Sequence, residues 1–346
     1  MDCYITPGFV DTHIHGAFGC DVCDLNAESI ITISKGLVQK GISAFCPTTM
    51  TISLDKIYQA LEAVNEAKKV LENSSEPHAD ILGVHLEGPF LNPSKCGVQN
   101  VSDSILPSCA EDIILEIENR FPGLVKIIDI APELEGGLDL VRKFSDKYVF
   151  SIAHSDADYE IATKAFENGC KSVTHVLNAM NPMLKRNPGI LGSAIDNDAF
   201  IEVIADGHHI HNSYLKLLYS ELLENRIITV SDSMRGASMP NGFYDLGGVE
   251  VEVKNGRTYF GKDGNLAGSV TNLTEEFSNL ISANITGNRI VNSMTVNPLK
   301  RLGLFNGFDY LDLIDIGCKA NFNIFNKDAK MIGVINRGKI LWLEEV

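Results

Sequence analysis

The sequence predicts an α/β protein: a (β/α)8 TIM-type barrel with a small, incomplete β-unit at its C-terminal end. Two observations lead there. Eight short, apolar, β-prone runs recur along residues 8–232, and amphipathic stretches of helical period separate them.

The runs are "GFVDTHIH" (8–15), "ISAFCPT" (42–48), "ILGVHLE" (81–87), "LVKIIDIAPE" (124–133), "YVFSIAH" (148–154), "SVTH" (172–175), "FIEVIAD" (200–206) and "IITVSD" (227–232). Helices are expected at 26–40, 53–72, 111–121, 137–146, 157–168, 212–224 and 271–283, with an ordered loop over 177–192. A β-then-α rhythm implies parallel strands joined by right-handed crossovers. Eight such units match the barrel, whose usual size is ~250 residues. An open doubly wound sheet needs a glycine fingerprint after its first strand, and "DTHIHGAFG" is not one.

Two segments fall outside the rhythm. "VEVEVKNGRTYF" (249–260) has the alternation and the Asn255-Gly256 turn of a β-hairpin. Beyond Pro298, "NFNIF", "IGVIN" and "KILWL" read as three strands. The expected organisation is a barrel over 7–300 carrying the hairpin as an insertion, and a β-unit over 318–346.

Composition narrows the function. A net charge of −16 argues against nucleic acid or an anionic membrane as partner, since both demand a basic face. A phosphorylated small molecule would have to meet a local cationic cluster. Eight scattered cysteines in a chain of 346 residues read as reduced thiols, hence a cytoplasmic protein. The N-terminal stretch has no basic region of the signal-peptide kind. No apolar run approaches the ~18 residues of a membrane span.

In a barrel, the C-terminal ends of the strands share one mouth. The eight runs end on His13 and His15, on His85 and Glu87, on His154, on His175, on Asp206 before "GHHIH", and on Asp232. Eight of the nine histidines lie at or just past a strand end, His78 being the exception. Residues i and i+2 of a strand point the same way, about 6.6–6.8 Å apart, so His13 and His15 can converge on one ion. His-x-His alone is a weak signal; joined to a carboxylate, two further histidines and an aspartate, it describes an N/O metal site suited to Zn, Fe or Mn. His85 lies deeper in its strand and reads as a core or buttressing residue. Within "GHHIH" one imidazole is expected to face the mouth and the others to cap the next helix. Cys20-x-x-Cys23 has no second pair and reads as loop thiols.

With these residues in view the chain resembles the amidohydrolase superfamily, and within it the N-acetylglucosamine-6-phosphate deacetylases. The matching stretches are "PGFVDTHIHG", "GVHLEGPFLNPSKCGVQ", "IAPE", "AHSDADY", "VTHVLNAMNPMLKRNPG", "ADGHHIH", "VSDSM" and "LAGS", in order from residue 7 to about 272. The resemblance implies hydrolysis of the acetamide of N-acetyl-D-glucosamine 6-phosphate. Other amidohydrolase substrates, the galacto epimer among them, and a non-catalytic homologue are the alternatives. It implies a divalent metal (Zn, Fe, Mn or Co), held by Glu87, His154 and His175, with His13 and His15 for a second ion. Asp232 would be the catalytic acid and base. His209 would contact the sugar and the acetyl carbonyl. Val98, Gln99, Asn178, Ala179, Leu266, Ala267 and Gly268 would line the substrate, and Arg186 would bind the phosphate across a homodimer interface. Fourth-strand "DIAPE" lacks the metal-bridging lysine of many amidohydrolases, which leaves Glu87 to serve. Such deacetylases carry several more β-sandwich strands ahead of "PGFVD". Here six residues precede Pro7, so the tail strands are expected to keep an unpaired edge.

Overall fold

The computed structural model describes residues 3–261, 264–285, 287–307 and 309–344. Eight parallel strands follow one another in chain order: β1 (Phe9–Ile14), β2 (Ile42–Thr49), β3 (Val84–Phe90), β4 (Val125–Ile130), β5 (Val149–Ile152), β6 (Ser172–Val173), β7 (Phe200–Val203) and β8 (Ile227–Thr229). The ring closes just beyond β8. Asp232 N donates to His13 O (2.9 Å), and His15 N and Gly16 N donate to Ser233 O (2.9 and 3.0 Å). Closure therefore sets Asp232 beside both histidines of β1. This is the predicted barrel.

Helices α1 (Ala27–Gln39), α2 (Leu54–Glu72), α3 (Glu111–Arg120), α4 (Gly137–Phe144), α5 (Tyr159–Glu167), α6 (Gly189–Asp196), α7 (Asn212–Leu218) and α8 (Leu273–Ser282) follow the eight strands in turn. α1 shows why they form. Asn26 caps it by accepting from Ser29 N (2.9 Å), and Ile30, Ile33, Leu37 and Val38 make one buried stripe against the barrel. Truncating Leu37 to alanine would cost about 2–5 kcal/mol.

Three expectations need correction. The loop expected over 177–192 ends early, because α6 begins at Gly189. Its glycines hide it from propensity, yet Gly192 is required there: a Cβ would lie 2.3 Å from Pro188 Cβ. Two short helices, α9 (Asn288–Met294) and α10 (Val296–Arg301), follow where none was expected. The third correction concerns the tail. Its strands Phe322–Asn326, Met331–Asn336 and Lys339–Leu343 form an antiparallel sheet, and Cys3–Pro7 pairs with Phe322–Asn326 as a fourth strand. The Phe322–Asn326 edge is thus covered by residues ahead of β1, while Lys339–Leu343 pairs only with Met331–Asn336 and keeps the unpaired edge that was expected.

This sheet is fastened to the barrel by an aromatic cluster. Phe325 stacks on Phe9 of β1 and Phe277 of α8, with centroids 6.0 and 4.5 Å away. Val249–Lys254 and Arg257–Tyr259 pair as the hairpin, with Asn255 and Gly256 both at positive φ, and Gly242–Leu246 adds a third strand. Among the described residues no helix is long and apolar enough to cross a membrane.

Candidate metal centre and active site

β1, β3 and the residues just past β5, β6 and β8 bring five imidazoles and two carboxylates together. Glu87 is the hub. Its Oε1 lies 3.1 Å from His154 Nε2 and 3.0 Å from His175 Nε2, and those two nitrogens are 3.1 Å apart. Its Oε2 lies 3.2 Å from His15 Nε2. Asp232 Oδ1 stands 3.2 Å from His15 Nε2 and 3.5 Å from His13 Nε2. Two triads result, Glu87–His154–His175 and His13–His15–Asp232, with Glu87 touching both. All of these side chains are buried. The fifth imidazole, His85, lies beneath them, with Nδ1 3.0 Å from Thr12 O and Nε2 3.0 Å from Asp129 Oδ1.

The backbone bends to make this possible. His154, His175 and Asp232 sit at φ 44°, 29° and 47°, a left-handed region that non-glycine residues rarely occupy outside functional sites. All three side chains line the cavity at the barrel mouth.

The donor chemistry fits a divalent cation on three grounds. First, the tautomers are set from behind. His15 Nδ1 lies 3.1 Å from Thr48 O and His154 Nδ1 lies 2.8 Å from Lys95 O. A carbonyl only accepts, so each Nδ1 carries the proton and each Nε2 is left as a ligand atom. Second, the spacing suits. Edges of a tetrahedron around zinc, with bonds of ~2.0–2.1 Å, measure about 3.3 Å. Third, the cluster demands positive charge. Burial opposes ionisation of Glu87 and Asp232, yet the surrounding histidines hold both carboxyls below their usual range. Against burial, the Glu87 and Asp232 carboxylates in turn push His175 up to about 9 and His15 well above its ordinary value. His13 Nε2 meanwhile has no hydrogen-bond partner among the described residues.

Above the triads opens a cavity of about 500 Å³. His15, Glu87, His154, His175 and Asp232 form its floor, while His13 lies below it. The predicted substrate contacts Val98, Gln99, Asn178, Ala179, His209, Leu266, Ala267 and Gly268 all line its walls. Arg186 does not. It is exposed at the tip of the turn Leu184–Asn187, beside Lys185.

Several partners escaped sequence reasoning. Gln99 is locked in place: Nε2 donates to Glu87 Oε2 (2.5 Å) and Oε1 accepts from Thr51 N (2.6 Å). Its amide thus orients the central carboxylate as well as facing the cavity. Asp206 accepts from the backbone N–H groups of His208 and His209 and lies 2.8 Å from His209 Nδ1, which leaves His209 Nε2 for the cavity. His211 Nδ1 accepts from Ser213 N (3.2 Å) and caps α7 as expected, whereas His208, also expected to cap, instead accepts from Arg257 Nε (3.2 Å). Lys95 adds a cation to the cavity rim, tied to Asp156 (3.1 Å) and Asn181 (2.8 Å).

A closed parallel barrel with paired histidine–carboxylate triads at its C-terminal mouth defines a metal-dependent hydrolase. Residues 4–341 match the amidohydrolase family, and the chain belongs to it. It is 35% identical over 347 residues to the N-acetylglucosamine-6-phosphate deacetylase of Bacillus subtilis (strain 168), spanning 99% of this chain and 86% of that one. The deacetylase of the same name from Vibrio furnissii is 34% identical over 280 residues, 80% of this chain and 68% of that one. Among solved structures, the N-acetylglucosamine-6-phosphate deacetylase from Thermotoga maritima superposes with a TM-score of 0.84 at 29% identity, covering 98% of this chain and 89% of that chain.

Proposed function

We propose that the protein hydrolyses the acetamide of N-acetyl-D-glucosamine 6-phosphate, releasing acetate and D-glucosamine 6-phosphate in cytoplasmic amino-sugar metabolism. The observation that carries this reading is the placement of Asp232. A buried carboxylate lies at the cavity floor, beside His13 and His15 and next to the Glu87–His154–His175 triad, in a chain whose relatives carry that activity in their names.

Glu87, His154 and His175 would hold the principal ion, and His13 and His15 a second. Held there, a divalent ion (zinc, iron, manganese or cobalt) would supply Lewis-acid chemistry, lowering the pKa of a water to about 7. Asp232 accepts the proton of the attacking water. It then delivers that proton to the departing nitrogen, because an amide anion cannot leave in water. His209, oriented by Asp206, contacts the sugar and the acetyl carbonyl through Nε2. Val98, Gln99, Asn178 and Ala179 flank the sugar, and Leu266, Ala267 and Gly268 add backbone contacts.

Arg186 is read as the phosphate ligand of a neighbouring subunit in a homodimer. Its exposed position outside its own cavity supports that assignment, as do the exposed Met183 and Leu184 on the same loop. A guanidinium fork matches a phosphate, and with Lys185 it gives the local positive charge that a −16 background requires.

Acetate release from the phosphosugar and from unphosphorylated N-acetylglucosamine, measured side by side, tests the reading. Turnover strongly favouring the phosphosugar is expected. Equal rates on both would overturn the phosphate assignment, and no acetate from either would overturn the reaction.

A further inference from the structure

We propose that Glu202 and Arg301 are positioning residues: together they hold His13 as the Nδ1–H tautomer and aim its Nε2 lone pair at the site it shares with His15 and Asp232. The proposal rests on the reading of His13 as a metal ligand.

Glu202 lies in the middle of β7 with its side chain wholly inside the barrel, and its Oε2 is 3.1 Å from His13 Nδ1. Its other oxygen, Oε1, accepts from Arg301 Nη1 at 2.5 Å. Arg301 ends α10 and enters the barrel interior, where Nη1 also donates to Ser172 Oγ (3.2 Å) and Nη2 to Thr12 Oγ1 (2.5 Å). One guanidinium thus pins β1, β6 and β7 around Glu202.

Arg301 cannot lose its proton in a protein. Its full charge keeps Glu202 an ionised, acceptor-only group. The contact between Glu202 and His13 Nδ1 then requires the proton on Nδ1. Nε2 is left with the lone pair, and it is the nitrogen without a hydrogen-bond partner. The other neighbour of this pocket, His85, does not turn His13, Glu202 and His85 into a cation site of their own, because the Arg301 charge already sits on Glu202.

Stability alone does not account for the pair. A buried ion pair is often no better than well-packed apolar residues of the same volume, so its presence inside a barrel points to orientation. Among the ligand histidines, His15 and His154 are backed by carbonyl dipoles and His13 by a full negative charge. A carboxylate behind an imidazole makes the far nitrogen the stronger donor, and losing such a partner typically costs 10–100-fold in metal affinity.

The test is ¹⁵N NMR of histidine-labelled, Zn²⁺-loaded protein, with the His13 ring assigned by its loss in His13→Gln. A protonated Nδ1 and an unprotonated Nε2 are expected; a proton on Nε2 overturns the proposal. Zinc titration of Glu202→Gln follows, with a second-ion affinity about 10–100-fold weaker than wild type expected and the first ion retained. Undiminished second-ion affinity overturns the proposal. Should Glu202→Gln not fold, Glu202→Gln/Arg301→Gln removes both charges together and answers the same question. A wild-type protein that binds one zinc refutes the two-ion reading instead, and the His13 tautomer still decides the proposal.

Discussion

His154 Nε2 and His175 Nε2 stand 3.1 Å apart, both against one oxygen of Glu87. Two imidazole lone pairs at that distance repel unless a proton or a cation sits between them. Both strand ends are held in a left-handed backbone to keep the pair together, so the protein maintains an arrangement that only a positive charge relieves.

Glu87→Gln removes the shared negative charge from that arrangement. The variant is expected to lose the principal ion and at least about 100-fold in activity, by the scale on which mere supporting contacts cost 10–100-fold. Metal analysis of the purified variant beside wild type checks it. Full metal content would show that the ion is held elsewhere.

Asp232→Asn separates proton transfer from ion binding. Turnover should fall about 10²–10⁴-fold, the contribution of a positioned acid–base group. Ion content at the Glu87–His154–His175 triad should persist. A variant that keeps wild-type kcat would remove Asp232 from the reaction.

Arg186→Ala should raise KM for the phosphosugar about 10–100-fold, the worth of a charge-assisted hydrogen bond, with little change for the unphosphorylated sugar. Because Arg186 lies outside its own cavity, the proposed homodimer has a sharper readout in mixed dimers. Co-expressed Arg186→Ala and Asp232→Asn chains should recover turnover at the wild-type KM, which neither homodimer shows, since one hybrid site contains both residues intact. Absence of recovery would mean that Arg186 serves its own chain.

A fourth prediction concerns pH and lies far from the metal. His78 Nδ1 faces Glu76 O (2.8 Å), so its Nε2 accepts from Arg337 Nη2 (2.7 Å), while Arg337 and Lys319 both reach Asp80 (2.6 Å each). The cluster ties the C-terminal sheet to the loop before β3. Burial first, then the Arg337 charge, lowers the His78 pKa from its ordinary 6.5 despite the Glu76 carbonyl. A histidine with a lowered folded-state pKa binds its proton more readily when unfolded. Its contribution is therefore complete above about 6.5 and declines as pH falls through that value toward the folded pKa. Denaturant melts should show His78→Asn about 1–3 kcal/mol less stable than wild type at pH 8, with the gap narrowing by pH 5.5. A gap that widens toward acid would reverse the assignment.

Most of the barrel and its mouth were readable in one dimension, because strand ends advertise themselves through polar residues closing apolar runs. "DTHIH", "VHLE", "IAH", "VTH" and "VSD" converge as expected, and His211 caps α7 as expected. What escaped depends on long-range pairing. Cys3–Pro7 is an unremarkable stretch until Phe322–Asn326 lies beside it. α6 is hidden by Gly189 and Gly192, of which Gly192 is needed for close packing on Pro188. Arg301 meets Glu202 across 99 residues of sequence, and no local pattern links them. A signal did exist for Glu202: a carboxylate inside "FIEVIAD" cannot be buried alone and must have a partner.

The most direct measurement is acetate release from N-acetylglucosamine 6-phosphate by one preparation in three states: as purified, after exhaustive chelation, and after a divalent cation is restored. The account predicts turnover, its loss with the metal, and its return with the cation. Undiminished acetate release from metal-free protein would contradict it.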